Sequence, residues 1–126
     1  MKNNIGVVVI IIGVLHSLLG FVKHSGVFGG MLSNGLLNTG NTIERNLAFW
    51  FTFAGITFML LGYLIKYIES QKLAVPITFG WLLLGAAVVG VVILPISGFW
   101  ALFLPAILII YQAKSGSLAA VDRKLG

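Results

Sequence analysis

The stretch VVILPISGFWALFLPAILII, residues 91–110, decides how this chain folds. It holds Pro95, Ser97, Gly98 and Pro105 and lies in a longer run, Leu73 to Ala113, without a single Asp, Glu, Lys or Arg. As one helix that run would extend about 60 Å at ~1.5 Å per residue, about twice the hydrocarbon thickness of a bilayer. It must therefore fold back. Pro95 lacks an N–H and disfavours helix in Leu94, Ser97 suits the cap of a new helix, and Gly98 frees the backbone. The stretch reads as a hairpin joining two spans, about 76–94 and 98–113, with a kink expected at Pro105.

Working outward, Ile5–Val22 and Leu47–Ile65 are two further apolar runs of spanning length. The first imitates a signal peptide, but no small-x-small cleavage site follows it, so it is expected to stay as an uncleaved span. Composition agrees with a lipid solvent: 59% of residues are hydrophobic and 9% charged, with a mean hydropathy of +1.06. A soluble domain carries about 25% charged residues. The expected fold is all-α: one membrane domain, residues 1–126, with four transmembrane helices in an antiparallel bundle and a long outer loop, 23–46.

Orientation follows from the cations. With cytoplasmic termini, that side holds Lys2, Lys66, Lys72, Lys114, Arg123 and Lys124, and the other side only Lys23 and Arg45. The net charge of +5 is spread singly between apolar spans, which suits contact with anionic membrane lipids and not a nucleic-acid footprint. In the outer loop, Val27, Phe28, Met31, Leu32, Leu36 and Leu37 offer an apolar face to the bilayer surface, although the loop glycines argue against a firm helix. Asn41 and Glu44 read as an N-cap and a first-turn acid, so the second helix should begin before its apolar run does. The connection Lys66–Val75 reads as short and charged.

Helices in lipid associate through close packing and polar contacts. Gly6, Gly13 and Gly20 recur at heptad spacing, as do Gly55 and Gly62, and Ala86 with Gly90 forms a small-xxx-small pair. Glycine faces left outside such a bundle would favour a homo-oligomer.

The chemistry is narrowed by what is missing. Without cysteine there is no disulfide, thiol nucleophile, Cys-ligated zinc or iron–sulfur cluster. No Asp, Glu, Lys or Arg falls within any expected span, which removes intramembrane proton coupling through a carboxylate, acid–base hydrolysis and two-metal chemistry. His16 is the one histidine within a span; helical projection turns it towards Gly13, Ser17 and Gly20, where a carbonyl, Thr52, Thr57 or Ser97 would be its hydrogen-bond partner. His16 and His24 are expected to be about 12 Å apart along one helix and turned by about 80°, so they cannot grip one haem iron. A haem would need His16 from two copies. Phe49, Trp50, Phe51 and Phe53 open the second span, and Phe99, Trp100 and Phe103 open the fourth. They form either an interfacial aromatic belt or an outer pocket, with His16 as polar handle and the glycine-rich loop as lid. The candidate ligand-binding residues are His16, Arg45, Trp50, Phe53, Trp100 and Phe103, with Arg45 placed to meet a lipid phosphate. No catalytic residue or metal ligand is assigned.

The segments LHSLLG (15–20), FWFTFAG (49–55), LLGYLI (60–65) and ILPISGFWALFLPAILII (93–110) resemble those of a family of small bacterial membrane proteins, a domain of unknown function with four predicted helices. His16, Phe49–Phe51, Gly55, Pro95, Ser97–Trp100 and Pro105 carry the likeness. It implies the same fold and a bacterial inner-membrane location, and no activity. The expected function is therefore non-enzymatic binding of an apolar ligand, a lipid or a partner helix through the outer half. The alternatives are an oligomeric transporter or channel subunit, and a redox or lipid-modifying enzyme using His16 with a borrowed quinone or haem.

Overall fold

The computed structural model describes the backbone of residues 4–125 and the side chains of residues 4–116. Lys2 and the side chains of Arg123 and Lys124, three of the orientation signals, lie outside that range. The regular structure of the described residues is helical: α1 (Ile5–Lys23), α2 (Ser25–Ser33), α3 (Ile43–Ser70), α4 (Ile77–Ile93), a 3-10 turn (Gly98–Leu102) and α5 (Phe103–Leu125). Three helical segments are long and apolar enough to cross a membrane: Ile5–Lys23, Ile43–Ser70 and Gly98–Gly116. Helix α4 is apolar but shorter, at 17 residues. The chain divides into two compact units, Val9–Gly62 and Met1–Val8 with Tyr63–Gly126.

In the Val9–Gly62 unit, α1 and α3 pack antiparallel along the expected glycine seam. A Cβ on Gly13 would fall 2.6 Å from the Gly55 carbonyl oxygen, and one on Gly20 would fall 2.6 Å from Thr52 Oγ1. Gly55 in turn faces Ser17, whose Oγ donates to the Thr52 carbonyl at 3.1 Å. Backbones this close admit only hydrogen at these positions, and the hydroxyl adds a polar contact where lipid offers none.

Two local expectations change here. The loop glycines do not prevent a helix: α2 occupies Ser25–Ser33. Gly26 and Gly29 meet open space, while Phe28 stacks on Phe21 at 5.5 Å and Met31 is buried. Side-chain burial and satisfied backbone groups outweigh the low helix propensity of glycine. The N-cap of α3 is Thr42, not Asn41, because Thr42 Oγ1 accepts the Arg45 N–H at 3.3 Å. Glu44 does lie in the first turn.

In the other unit, residues 91–110 form the expected hairpin. Gly90 of α4 meets the Phe99 ring, and Gly80 meets Ala106, Ile109 and Ile110, so α4 runs antiparallel to the 3-10 turn and α5. Ser97 is the N-cap, accepting the Phe99 N–H at 3.4 Å and donating to the Leu94 carbonyl at 2.5 Å. Pro105 produces a change of helix type. The 3-10 turn ends at Leu102 and α5 begins at Phe103, which puts the proline in the first α-helical turn, where its missing N–H is not needed. The small-residue face of α4 is Gly80, Ala87 and Gly90; Ala86, expected to pair with Gly90, is exposed. Helix α3 continues beyond its apolar run to Ser70, so the connection is shorter than Lys66–Val75.

Candidate functional site

The six candidate residues fall in both compact units: His16, Arg45, Trp50 and Phe53 in Val9–Gly62, and Trp100 and Phe103 in the other. Within the first unit, a cleft of about 540 Å³ opens beneath the segment that joins α2 to α3. Phe21, Phe28, Met31, Phe49 and Trp50 belong to its apolar lining, and Asn38, Thr39 and Asn46 supply polar groups. Of the candidates, Trp50 lines this cleft directly. Phe53 supports it from behind, stacking on Phe49 at 5.4 Å and meeting Trp50 edge-on at 5.9 Å.

Arg45 shapes the cleft from the first turn of α3. Its Nη1 donates to Thr39 Oγ1 at 3.0 Å and to the Thr39 carbonyl at 3.3 Å, while Nη2 reaches the Gly30 carbonyl at 3.5 Å. The guanidinium fork thus joins the C-terminal half of α2 to the connecting segment. Thr39 is buried by this arrangement, at 8% exposure. The segment turns through Gly35 and Asn38, both with positive φ (90° and 53°), which glycine and asparagine tolerate best.

His16 occupies different surroundings from those expected. Its ring stacks on Phe51, with centroids 4.4 Å apart and planes inclined by 21°, and meets Phe58 edge-on at 6.1 Å. Among the described residues it has no hydrogen-bond partner, and Ser17, not His16, takes the polar position in the helix seam. Neighbouring helical positions differ by about 100° and share a face only in part, so a helical projection does not decide which of the two enters the seam. His24 approaches the same Phe51 at 5.8 Å; its Nδ1 lies 3.0 Å from the Gly20 carbonyl oxygen, an acceptor, so that nitrogen carries the proton of the bond. Thr52 Oγ1 is buried without a partner among the described residues.

In the second unit, Trp100 and Phe103 serve the hairpin turn. Trp100 Nε1 donates to the Pro95 carbonyl at 2.9 Å, and its ring stacks on Phe103 at 5.7 Å. Neither lines the cleft described above.

One structurally engaged position had no strong signal in the sequence. Glu69, near the end of α3, accepts the N–H of Ile5 through Oε1 at 2.9 Å and that of Gly6 through Oε2 at 3.2 Å. It therefore caps α1 in the way a local Ser or Asp does elsewhere, with the added attraction of a carboxylate for a helix N-terminus. Three residues after Lys66, it reads in sequence as an ordinary surface charge.

Among the described residues no cluster of His, Asp and Glu is arranged to hold a metal ion. Comparison with curated proteins and with solved structures finds no match. The model of a family of unknown function, DUF6463, matches residues 1–116, and the chain belongs to that family.

Proposed function

We propose that this is a non-enzymatic membrane protein that holds an apolar ligand, a lipid chain or a small apolar molecule, in the cleft between α2 and the start of α3. The observation that carries the proposal is the cleft itself: a mostly aromatic and aliphatic lining with a few polar groups, the usual build of a site for a mostly apolar ligand. Arg45 holds the covering segment in place through Thr39 and Gly30, a role that replaces direct contact with a phosphate in this reading. His16 packs on Phe51 and is not among the residues that line the cleft.

The same proposal places the chain in the membrane by four spans, adding α4 to the three longer segments. At 17 residues it extends about 25 Å, a few ångströms less than a hydrocarbon core of ~30 Å, a mismatch that a bilayer accommodates by local thinning. Four spans in an antiparallel bundle put both termini on one side, and the lysine distribution makes that side cytoplasmic. The resemblance of its segments to small bacterial proteins favours an inner membrane.

Native mass spectrometry of gently extracted protein tests the ligand. A retained lipid or small molecule is expected, and Phe28→Ala and Trp50→Ala should each release it while Trp100→Ala should not. A wild-type protein with no bound mass, or equal loss in all three variants, would defeat the proposal.

A further inference from the structure

A second hollow, of about 780 Å³, lies wholly within the other compact unit and is bordered by Asn4, Lys66, Glu69, Lys72, Tyr111 and Ser115. We propose that it binds the phosphate of an anionic phospholipid headgroup, with Lys66 and Lys72 as the cationic contacts. The proposal is independent of the apolar cleft and uses none of its residues.

Position is the first argument. The apolar stretches of α1, α3 and α5 all end here, at Ile5, Ile65 and Ile110, and polar side chains follow. A ligand in this hollow sits where hydrocarbon gives way to headgroups. Basic pockets between spans at this level bind anionic lipid heads.

Charge is the second. Among the described residues, neither Lys66 nor Lys72 has a side-chain hydrogen bond or an ion pair with a carboxylate. The acidic group in the hollow, Glu69, is already engaged by the Ile5 and Gly6 amides. Its charge is directed at a helix N-terminus, which leaves the ammonium groups for an outside anion. Tyr111 and Ser115 add hydroxyl donors at the border.

Backbone conformation is the third, and it arises separately from the charge. Helix α3 ends in a Schellman motif: the Leu73 N–H reaches back to the Ile68 carbonyl at 3.2 Å and the Lys72 N–H to that of Glu69 at 3.0 Å. The left-handed residue of this motif, ordinarily glycine, is Lys72, with φ 58°. A long side chain is kept where glycine would be easier, and such an outlier points to a use for the side chain.

The border also chooses between a lipid and free phosphate. Leu73, Ala74 and the Tyr111 ring give the hollow an apolar part beside its cations, which suits the glycerol and ester region of a lipid and offers nothing to an inorganic ion. Gln112 borders it too, with Oε1 buried and unpartnered among the described residues. A headgroup hydroxyl, or a water bridging to one, would satisfy that acceptor.

The test compares retention of phosphatidylglycerol and phosphatidylcholine, offered in equal amounts to the detergent-purified full chain, by native mass spectrometry and by the shift each lipid produces in unfolding temperature. Wild type should retain phosphatidylglycerol preferentially. Lys66→Gln and Lys72→Gly should each weaken that retention about fivefold, the worth of one lysine near an anionic headgroup, while Lys23→Gln leaves it unchanged. Lys72→Gly separates binding from folding: without lipid it should unfold no earlier than wild type, and yet respond less to phosphatidylglycerol. Equal retention of the two lipids, or a loss in Lys23→Gln as large as in the other two, would overturn the site. Removal of the preference by excess inorganic phosphate would overturn the lipid assignment in favour of a free-phosphate site.

Discussion

Glu69 and Ile5 stand 64 residues apart in the chain and are joined by a hydrogen bond of 2.9 Å from the Ile5 N–H to the carboxylate. The neighbouring Gly6 N–H occupies the other carboxylate oxygen. Helix α1 therefore has its N-terminus closed by the C-terminal end of α3, and the two helix ends are held at one level. The first turn of a helix leaves backbone donors without an intrahelical partner. The carboxylate accepts from two of them and ties the fold's first helix to its third.

Replacing Glu69 by Ala should accordingly destabilise the protein by about 1–2 kcal/mol, the usual cost of losing a helix cap. Glu69→Gln, which keeps one acceptor oxygen, should lose less. Thermal unfolding in a mild detergent distinguishes the two variants, and equal losses would show that charge alone, and not the amide contacts, accounts for the effect.

At Gly55 a methyl group has no room, because Ser17 and the Gly13 carbonyl oxygen stand against it. Gly55→Ala should cost about 1–3 kcal/mol by overpacking. Gly85 meets open space, so Gly85→Ala should be neutral or stabilising by up to about 1 kcal/mol. Unfolding temperatures of the pair, measured together, check both directions.

Lys72→Gly relieves a left-handed backbone at a non-glycine residue. It should raise stability by about 1 kcal/mol, seen as a higher unfolding temperature in lipid-free detergent.

The fork from Arg45 to Thr39 and Gly30 holds the segment over the apolar cleft. In Arg45→Met the amides between α2 and α3 should exchange with deuterium about tenfold faster, as expected for loss of roughly 1.4 kcal/mol of local stability. Amides in α4 should be unaffected, and uniform acceleration throughout would indicate global loosening instead.

His16→Ala should destabilise the protein by about 1 kcal/mol through its ring contacts with Phe51 and Phe58. A surface change such as Lys23→Gln should stay within about 0.5 kcal/mol. An unaltered unfolding temperature for His16→Ala would show that the stack contributes nothing.

Much of the framework was legible from residue order alone. Uncharged runs located the helices, although α3 and α5 continue past the ends of theirs, and Pro95, Ser97 and Gly98 marked the turn to within a residue, because their effects act on the backbone beside them. The heptad glycines Gly13, Gly20 and Gly55 are buried as their spacing indicates. Side-chain placement was harder. Ala86 and Ala87 are adjacent in an almost wholly apolar helix, and no amphipathic signal tells which faces a neighbour. The choice of Ala87 is made by the approach of α5. Likewise His16 and Ser17 sit on adjoining positions, and which of them enters the seam depends on where α3 lies.

The sequence by itself determined that this chain is built of helices, that most of it suits lipid, and where the last two helices turn back on each other. Those properties follow from local sterics and from the length of apolar runs, which no distant residue alters. Only the tertiary structure decided that Glu69 caps α1, that Arg45 holds the cover of an apolar cleft, and that Lys66 and Lys72 share a hollow with Tyr111 and Ser115. Each of these joins residues far apart in the chain, or depends on the path of the backbone between them. A hydrogen bond acts over about 3 Å, and that proximity exists only after the helices have packed.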